Sequence, residues 1–437
     1  RYLPLVKIKI TMLRILNTYE HYLLVNLPEK HTLEHRSRDI LARYWKQHFL
    51  VGLQLSELRQ CLQYRQKEIR ILAANALLEQ LEWCDKSISG PAHQRVIDMW
   101  FPYVALLLER SEFVRSLLGG HLGARDAQSE EHEHRRELRS WLAAFLAICR
   151  DCSPSLLRAY LHTETSENVA GFFDLLSICV EYFQGCHFSV VRELTNVCLI
   201  ALDMHLAPRV GETEPDKTME AAFQMLILLL KTYSFDQPAM EQILVAVRQF
   251  VHNFRELLFL SPAEHMNYCG DLCLELLGLC DAPWPSMRSR SATLLYTLMR
   301  ANWTTMDGSN FFRSRMQTLI AVSKLTSRGT IEDYTRIIAS LKAVSDQALQ
   351  EFPPDNSGAG RNARAMSFAT SLKQKGDGVG GAVDTAEMLA SMSFGEQVEG
   401  LVLRMFAVIR DNQNIIQNRD DPEFTTDLYY QVACNYT

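Results

Sequence analysis

ENVAGFFDLLSICVEYFQ, residues 167–184, carries Phe172, Leu176, Cys179 and Phe183 on one helical face, with Phe173, Ile178 and Val180 widening the stripe. A stripe that broad suits a helix packed on two neighbours rather than one resting on a single core. The same 3.6-residue period runs through most of the chain, and the alternation expected of β-strands is nearly absent. The spacing predicts helices near 4–24, 35–83 with a break, 94–118, 133–150, 166–184, 187–204, 218–233, 237–258, 263–280, 287–302, 310–325, 330–350, 383–413 and 424–436.

Short links separate these helices: GG at 119–120, Pro154, a GETEPD turn, Ser261-Pro262, DAPWPS and MDGSN. Short links force consecutive helices to lie antiparallel, and many such pairs can bury their apolar faces only against the next pair. The expected fold is therefore all-α: a right-handed α-solenoid over 1–352, with irregular HEAT/armadillo-like repeats because no strict sequence period is present. Two stretches interrupt it. GARDAQSEEHEHRREL (123–138) is densely charged and reads as a solvated loop with a first helical turn, whereas 353–388 is rich in glycine and serine and reads as a flexible linker or insertion. Its RNARAMS run has the pattern accepted by a basic-directed kinase, and helices resume in 389–437.

Composition is that of a globular chain: 437 residues, 47% hydrophobic and 22% charged. With 45 Lys and Arg against 51 Asp and Glu, the formal charge is -6, which lacks the basic excess that tracks a nucleic-acid backbone. Eleven cysteines lie among hydrophobic neighbours rather than in a secreted framework, so a reducing, cytoplasmic setting is expected. The apolar runs VALLLE and FQMLILLL fall short of the ~20 residues of a membrane span. Both ends fall inside apolar patterns and read as cuts through a larger protein.

No phosphate-binding loop, zinc-protease helix or nucleophile elbow is present, and no cofactor or metal is expected. Cys149 and Cys152 form a CRDC pair without a second ligand pair, and Cys269 and Cys273 sit at i,i+4 among leucines. His132 and His134, between Glu131 and Glu133, read as a solvated face, and His31 with His35 as a polar helix start. Glu79, Glu82 and Asp85 lie near one another on a helix but lack a facing cleft.

RSRSATLLYTLMRANW (288–303) and FFRSRMQTLIAVSKL (311–325) form a helical hairpin. Its apolar seam is expected to use Leu294, Leu298 and Trp303 from the first helix and Met316, Leu319, Ile320 and Val322 from the second. Arg288, Arg290, Arg313 and Arg315 stand near the helix starts, where they oppose the macrodipole unless compensated. They read either as packed inter-helix ion pairs or as an interaction surface. Trp284, between two prolines, reads as a cap on the next helix or as a partner contact.

The ordered text MRSRSATLLYTLMRANW (287–303) and NFFRSRMQTLIAVSKL (310–325) resembles the DOCK, or dedicator-of-cytokinesis, family of Rho-GTPase exchange factors. GFFDLLSICVEYF (171–183) is similar to the family's FFxLLxxCLxxF helix. FPYVALLLE (101–109) resembles its YLPLxxxxL helix, and DPEFTTDLYYQVACNY (421–436) the opening of its exchange domain. The resemblance implies a central armadillo-like region, with a lipid-binding C2-type domain upstream and the first exchange lobe starting within 389–437. It implies a Rho-family GTPase of Rac or Cdc42 type as partner through that adjacent domain, a homodimer, adaptor contacts, and peripheral recruitment to membranes. The family's nucleotide-ejecting loop has no match here, so no catalytic residue is assigned and this segment is not expected to be an enzyme. The rival reading is an independent HEAT/armadillo adaptor without exchange activity.

Overall fold

The computed structural model describes residues 3–17, 49–88, 90–119, 128–183, 188–205, 217–232, 237–260, 268–308, 311–353 and 392–417. Among the described residues all regular structure is α-helical, with no strand. Two compact units divide the chain, one of residues 1–207 and 215–232, the other of 208–214 and 233–437. The stretches 18–48, 354–391 and 418–437, which hold His31, His35, RNARAMS, most of the expected linker and the DPEFTTDLYYQVACNY text, lie outside the described residues.

The first unit contains α1 (Leu3–Asn17), α2 (Phe49–Cys61), α3 (Lys67–Ser87), α4 (Pro91–Trp100), α5 (Pro102–Leu108), α6 (Ser111–Gly119), α7 (Gln128–Asp151), α8 (Pro154–Thr163), α9 (Ser166–Phe183), α10 (Phe188–His205) and α11 (Lys217–Thr232). They pack in two layers: α1, α3, α7 and α10 succeed one another in one, and α2, α5, α9 and α11 in the other. Helix α9 buries Val169, Phe172, Phe173, Leu175, Leu176, Ile178, Cys179, Val180 and Phe183, a set that circles most of its girth. Phe172 meets Phe145 of α7 at 5.7 Å and Tyr160 of α8 at 6.3 Å between ring centroids. Helices before, after and across from α9 therefore all cover it.

The second unit contains α12 (Gln237–Asn253), α13 (Arg255–Leu260), α14 (Tyr268–Leu279), α15 (Pro285–Thr305), α16 (Phe312–Arg328), α17 (Tyr334–Glu351) and α18 (Phe394–Gln417). Again two layers form, α12, α15 and α17 in one and α14, α16 and α18 in the other, with α15–α16 and α17–α18 as cross-layer pairs. This is the irregular helix pairing of HEAT and armadillo repeats. Asp281, just after α14, accepts the backbone N–H groups of Glu332 at 2.6 Å and Asp333 at 3.1 Å, and so fixes the entry to α17.

An aromatic joint closes α17 against α18. Phe394 lies within 5.3–6.1 Å, between ring centroids, of Trp303, Phe311, Phe352 and Tyr296. Arg300 stacks its guanidinium over Phe352 at 4.2 Å and pairs with Glu351 at 3.3 Å. A Cβ at Gly395 would stand 2.3 Å from the carbonyl oxygen of Phe352, so only glycine lets the two chain segments approach this closely. The end of α17 and the start of α18 thus meet at one point.

Several elements differ from their sequence expectation. The 94–118 helix is three helices: Phe101-Pro102 interrupts the ladder and Pro102 starts a second, and a turn at Glu109-Arg110 separates that from the third. Pro154 is the first residue of a helix, α8, rather than a simple stop: Ser153 caps it by accepting the Leu156 N–H at 3.3 Å, and proline suits that first position. In the charged 123–138 stretch, helix begins at Gln128, and Glu137 is fully buried by an ion pair. Met316 and Ile320, expected in the hairpin seam, are 40% and 41% exposed, and Leu319 is only half-buried. The buried face of α16 is instead Ser314, Thr318, Ala321, Val322 and Thr326. These small or hydroxylic residues permit close approach to α14, where the Thr318 hydroxyl meets Cys273 Sγ at 3.5 Å, and their hydroxyls are satisfied by backbone carbonyls one turn back. Leu294 and Leu298 are buried and Trp303 half-buried.

Leu298→Ala is expected to destabilise the second unit by about 2–5 kcal/mol, while Met316→Ala and Ile320→Ala stay within about 0.5 kcal/mol, measured by urea denaturation. Gly395→Ala is expected to cost about 1–3 kcal/mol by forcing backbone apart at the aromatic joint, read as a lowered melting temperature.

Candidate functional site

The four hairpin arginines have separate environments. Arg288 donates to the carbonyl oxygens of Ala282 and Pro283, both at 2.9 Å, locking the turn that leads into α15. In that turn Trp284 is half-buried at the N-cap, its carbonyl accepting the N–H groups of Met287 and Arg288. Arg290 pairs with Glu241 of α12 at 3.3 Å, and Arg313 donates to the Leu258 carbonyl at the end of α13 at 3.2 Å. Arg315 is half-buried and turned toward α18, where Arg404 is its charged neighbour. Two of the four guanidinium groups thus join helices and a third locks a turn, and the structure does not gather all four on one surface.

The most deeply buried ion pair was not legible as a site. Arg70 of α3 holds Glu137 of α7 in a two-pronged contact, Nη2 to Oε2 at 3.0 Å and Nε to Oε1, while its Nη1 donates to the carbonyls of Tyr64 and Arg65. Glu137 has no solvent exposure and Arg70 only 8%. The face of Phe113 lies 5.1 Å from the guanidinium carbon. Sequence offers no cue to this pair, whose members are 67 residues apart and each resemble a solvated helix charge.

Asp85, His93 and Asp151 bring three ligand-type atoms within 4.8 Å of one another. His93 Nε2 lies 2.7 Å from Asp85 Oδ1, and Arg150 inserts its guanidinium against Asp85 at 3.4 Å, against Asp151, and against Glu193 at 3.1 Å. The arginine already supplies the positive charge that a cation would bring, so the cluster binds α3, α4, α7 and α10 together electrostatically. The other carboxylates of that α3 face point elsewhere, Glu79 to Arg14 at 3.1 Å and Glu82 to Lys86 at 3.6 Å.

Cys149 and Cys152 are buried, and desolvation pushes the Cys152 thiol up to about 12 and that of Cys149 well above its ordinary range. Cys269 is raised by its hydrogen bond with Cys273 and by burial. The Cys149, Cys152 and Cys269 sulfurs stay protonated and apolar rather than forming thiolates that would attack or ligate. The side chains of His132 and His134 lie outside the described residues.

The arrangement defines a class: an all-helical, HEAT/armadillo-like protein in which ion pairs such as Arg70–Glu137, Arg150–Glu193 and Arg290–Glu241 tie neighbouring helices together. No described helix is long and apolar enough to cross a membrane. Sequence comparison narrows this class. The chain is 21% identical over 348 residues to human dedicator of cytokinesis protein 9, covering 69% of this chain and 15% of that protein. It is 28% identical over 216 residues to mouse dedicator of cytokinesis protein 7, covering 48% and 8%. Against zebrafish (Danio rerio) dedicator of cytokinesis protein 11 the identity is 25% over 252 residues, covering 55% and 10%. The chain is a distant relative of these proteins and matches only a small part of their length. No family model matches it, and no solved structure does.

Arg70→Met is expected to cost about 3–5 kcal/mol in denaturant unfolding, because it strands the Glu137 charge in the interior. The double variant Arg70→Met, Glu137→Leu should recover most of that loss, since neither charge then remains buried and alone.

Proposed function

We propose that this chain is a central scaffold segment of a DOCK-type guanine nucleotide exchange factor for Rho-family GTPases. The observation that carries this reading is the 348-residue similarity to dedicator of cytokinesis protein 9, which takes in 69% of this chain but 15% of the relative. Paired helical layers fit such a part, because each added pair extends the body by a fixed step and resists bending through its buried face. In this role the array sets the spacing between a membrane-binding module upstream and an exchange module downstream. Residues 353–388 form an insertion in it, and residues 389–437 lead into the first lobe of the exchange domain. A GTPase of Rac or Cdc42 type is engaged through the adjacent exchange domain rather than by the helical array. Homodimerisation and adaptor contacts belong to the same reading, and the working place is the cytoplasmic face of a membrane, reached by peripheral recruitment.

The test compares the full-length exchange factor with a version in which this segment is replaced by a flexible chain of equal reach. Nucleotide release from the GTPase is followed in solution and on anionic vesicles. The expected result is a several-fold loss confined to vesicles, because a flexible spacer lowers the effective concentration of the exchange module at membrane-bound GTPase. Equal rates for both proteins under both conditions would rule the positioning role out.

A further inference from the structure

Helix α1 carries two apolar faces. Ile10 and Leu13 are buried where it packs on α3. Away from that contact Leu5, Ile8, Met12 and Ile15 are 63%, 64%, 60% and 66% exposed, with Leu16 on their margin at 39%. This is the densest exposed apolar stripe among the described residues. Helix α1 also stands first in its layer, so α3 covers it from one side, whereas α3 and α7 each lie between two helices of that layer.

The spacing of the stripe selects what fits it. Steps of three, four and three residues form a heptad-type seam with a period of about 3.5 residues, the pattern by which one helix lies along another. These steps read the same from either end. An antiparallel second α1 therefore sets Ile8 over Met12 and Leu5 over Ile15 about a two-fold axis.

Charge permits this self-pairing. Helix α1 has no acidic residue, yet Lys9 bonds Glu57 of α2, and Arg14 bonds Glu79 of α3 at 3.1 Å. At about 100° per residue, Lys7 falls well round the helix from the stripe. The stripe is thus flanked by a neutralised lysine on one side and Thr11 on the other. Neutral flanks weaken the attraction to anionic lipid or to an acidic helix, and they remove the repulsion that two facing basic surfaces would suffer. Covering the stripe on both copies withdraws roughly 1,000 Å² in total, the lower bound for a specific, reversible contact. Since α3 already holds α1 as a helix, pairing orders little new backbone.

We propose that the outward stripe of α1 is a homodimer seam, on which a second copy of this chain lays its own α1 antiparallel, Ile8 against Met12 and Leu5 against Ile15. The inference comes from α1 and its neighbours alone and does not rest on the exchange-factor reading.

Sedimentation velocity of the 437-residue chain between about 1 and 100 μM should show a concentration-dependent monomer–dimer equilibrium. Ile8→Glu and Met12→Glu should each weaken dimerisation at least about tenfold. At concentrations where the wild-type chain is monomeric, both variants should melt at its temperature, because both positions face water. Ile338→Glu, at an exposed position of α17, should leave the dimer unchanged. The double variant Ile8→Lys, Met12→Glu sets lysine against glutamate twice across the antiparallel seam, and should dimerise about tenfold more tightly than either single change. In the full-length protein, copies carrying Ile8→Cys mixed with copies carrying Met12→Cys should form a disulfide-linked dimer. A chain that stays monomeric at the highest concentration, single variants that do not weaken the dimer, or a double variant no tighter than its singles would overturn the proposal. Full-length copies that fail to cross-link would overturn it as well, by showing that another segment of the same polypeptide covers the stripe. So would Ile8-dependent binding to phosphatidylserine vesicles without dimerisation.

Discussion

The structure depends on covering helices that are apolar on more than one side. Helix α9 presents Phe172, Phe173, Leu176 and Val180 in several directions, all of them buried. Each such side chain contributes roughly 1.5–3 kcal/mol when removed from water. No single partner helix can cover that circumference, so neighbours before, after and across are required. Two layers satisfy the requirement, and they recur in both compact units without any repeating sequence motif. The polar interactions are subordinate to this packing: the Arg150 cluster and the Asp281 cap act where helix ends meet and refine contacts that apolar burial has already imposed.

Sequence made helix succession legible because apolar period and short breaks are local properties. The broad stripe of 167–184 directly reflects the crowded setting of α9. Failures occurred where a third element decided the outcome. In α16 a larger apolar set, Met316 and Ile320, competed with a face of serine, threonine, alanine and valine. The small face is buried because α14 comes close, and periodicity cannot reveal how close two distant helices will lie. Pro154 looked like a break because its role depends on Ser153 satisfying an N–H one turn ahead. Glu137 looked solvated because Arg70, its partner, lies in another helix far along the chain.

The same distinction governs the candidate site. Four arginines in two short runs read either as inter-helix ion pairs or as an interaction surface, and their side chains meet Ala282 and Pro283, Glu241, Leu258 and the vicinity of Arg404 respectively. Only the third dimension assigned each guanidinium group its own surroundings.

The joint at Phe394 has a consequence for how this chain carries strain. The Phe352 and Phe394 rings lie 5.5 Å apart, so the end of α17 and the start of α18 meet at this contact. Strain applied at either helix end therefore passes to the other through packed side chains, because a close-packed interior transmits displacement rather than absorbing it.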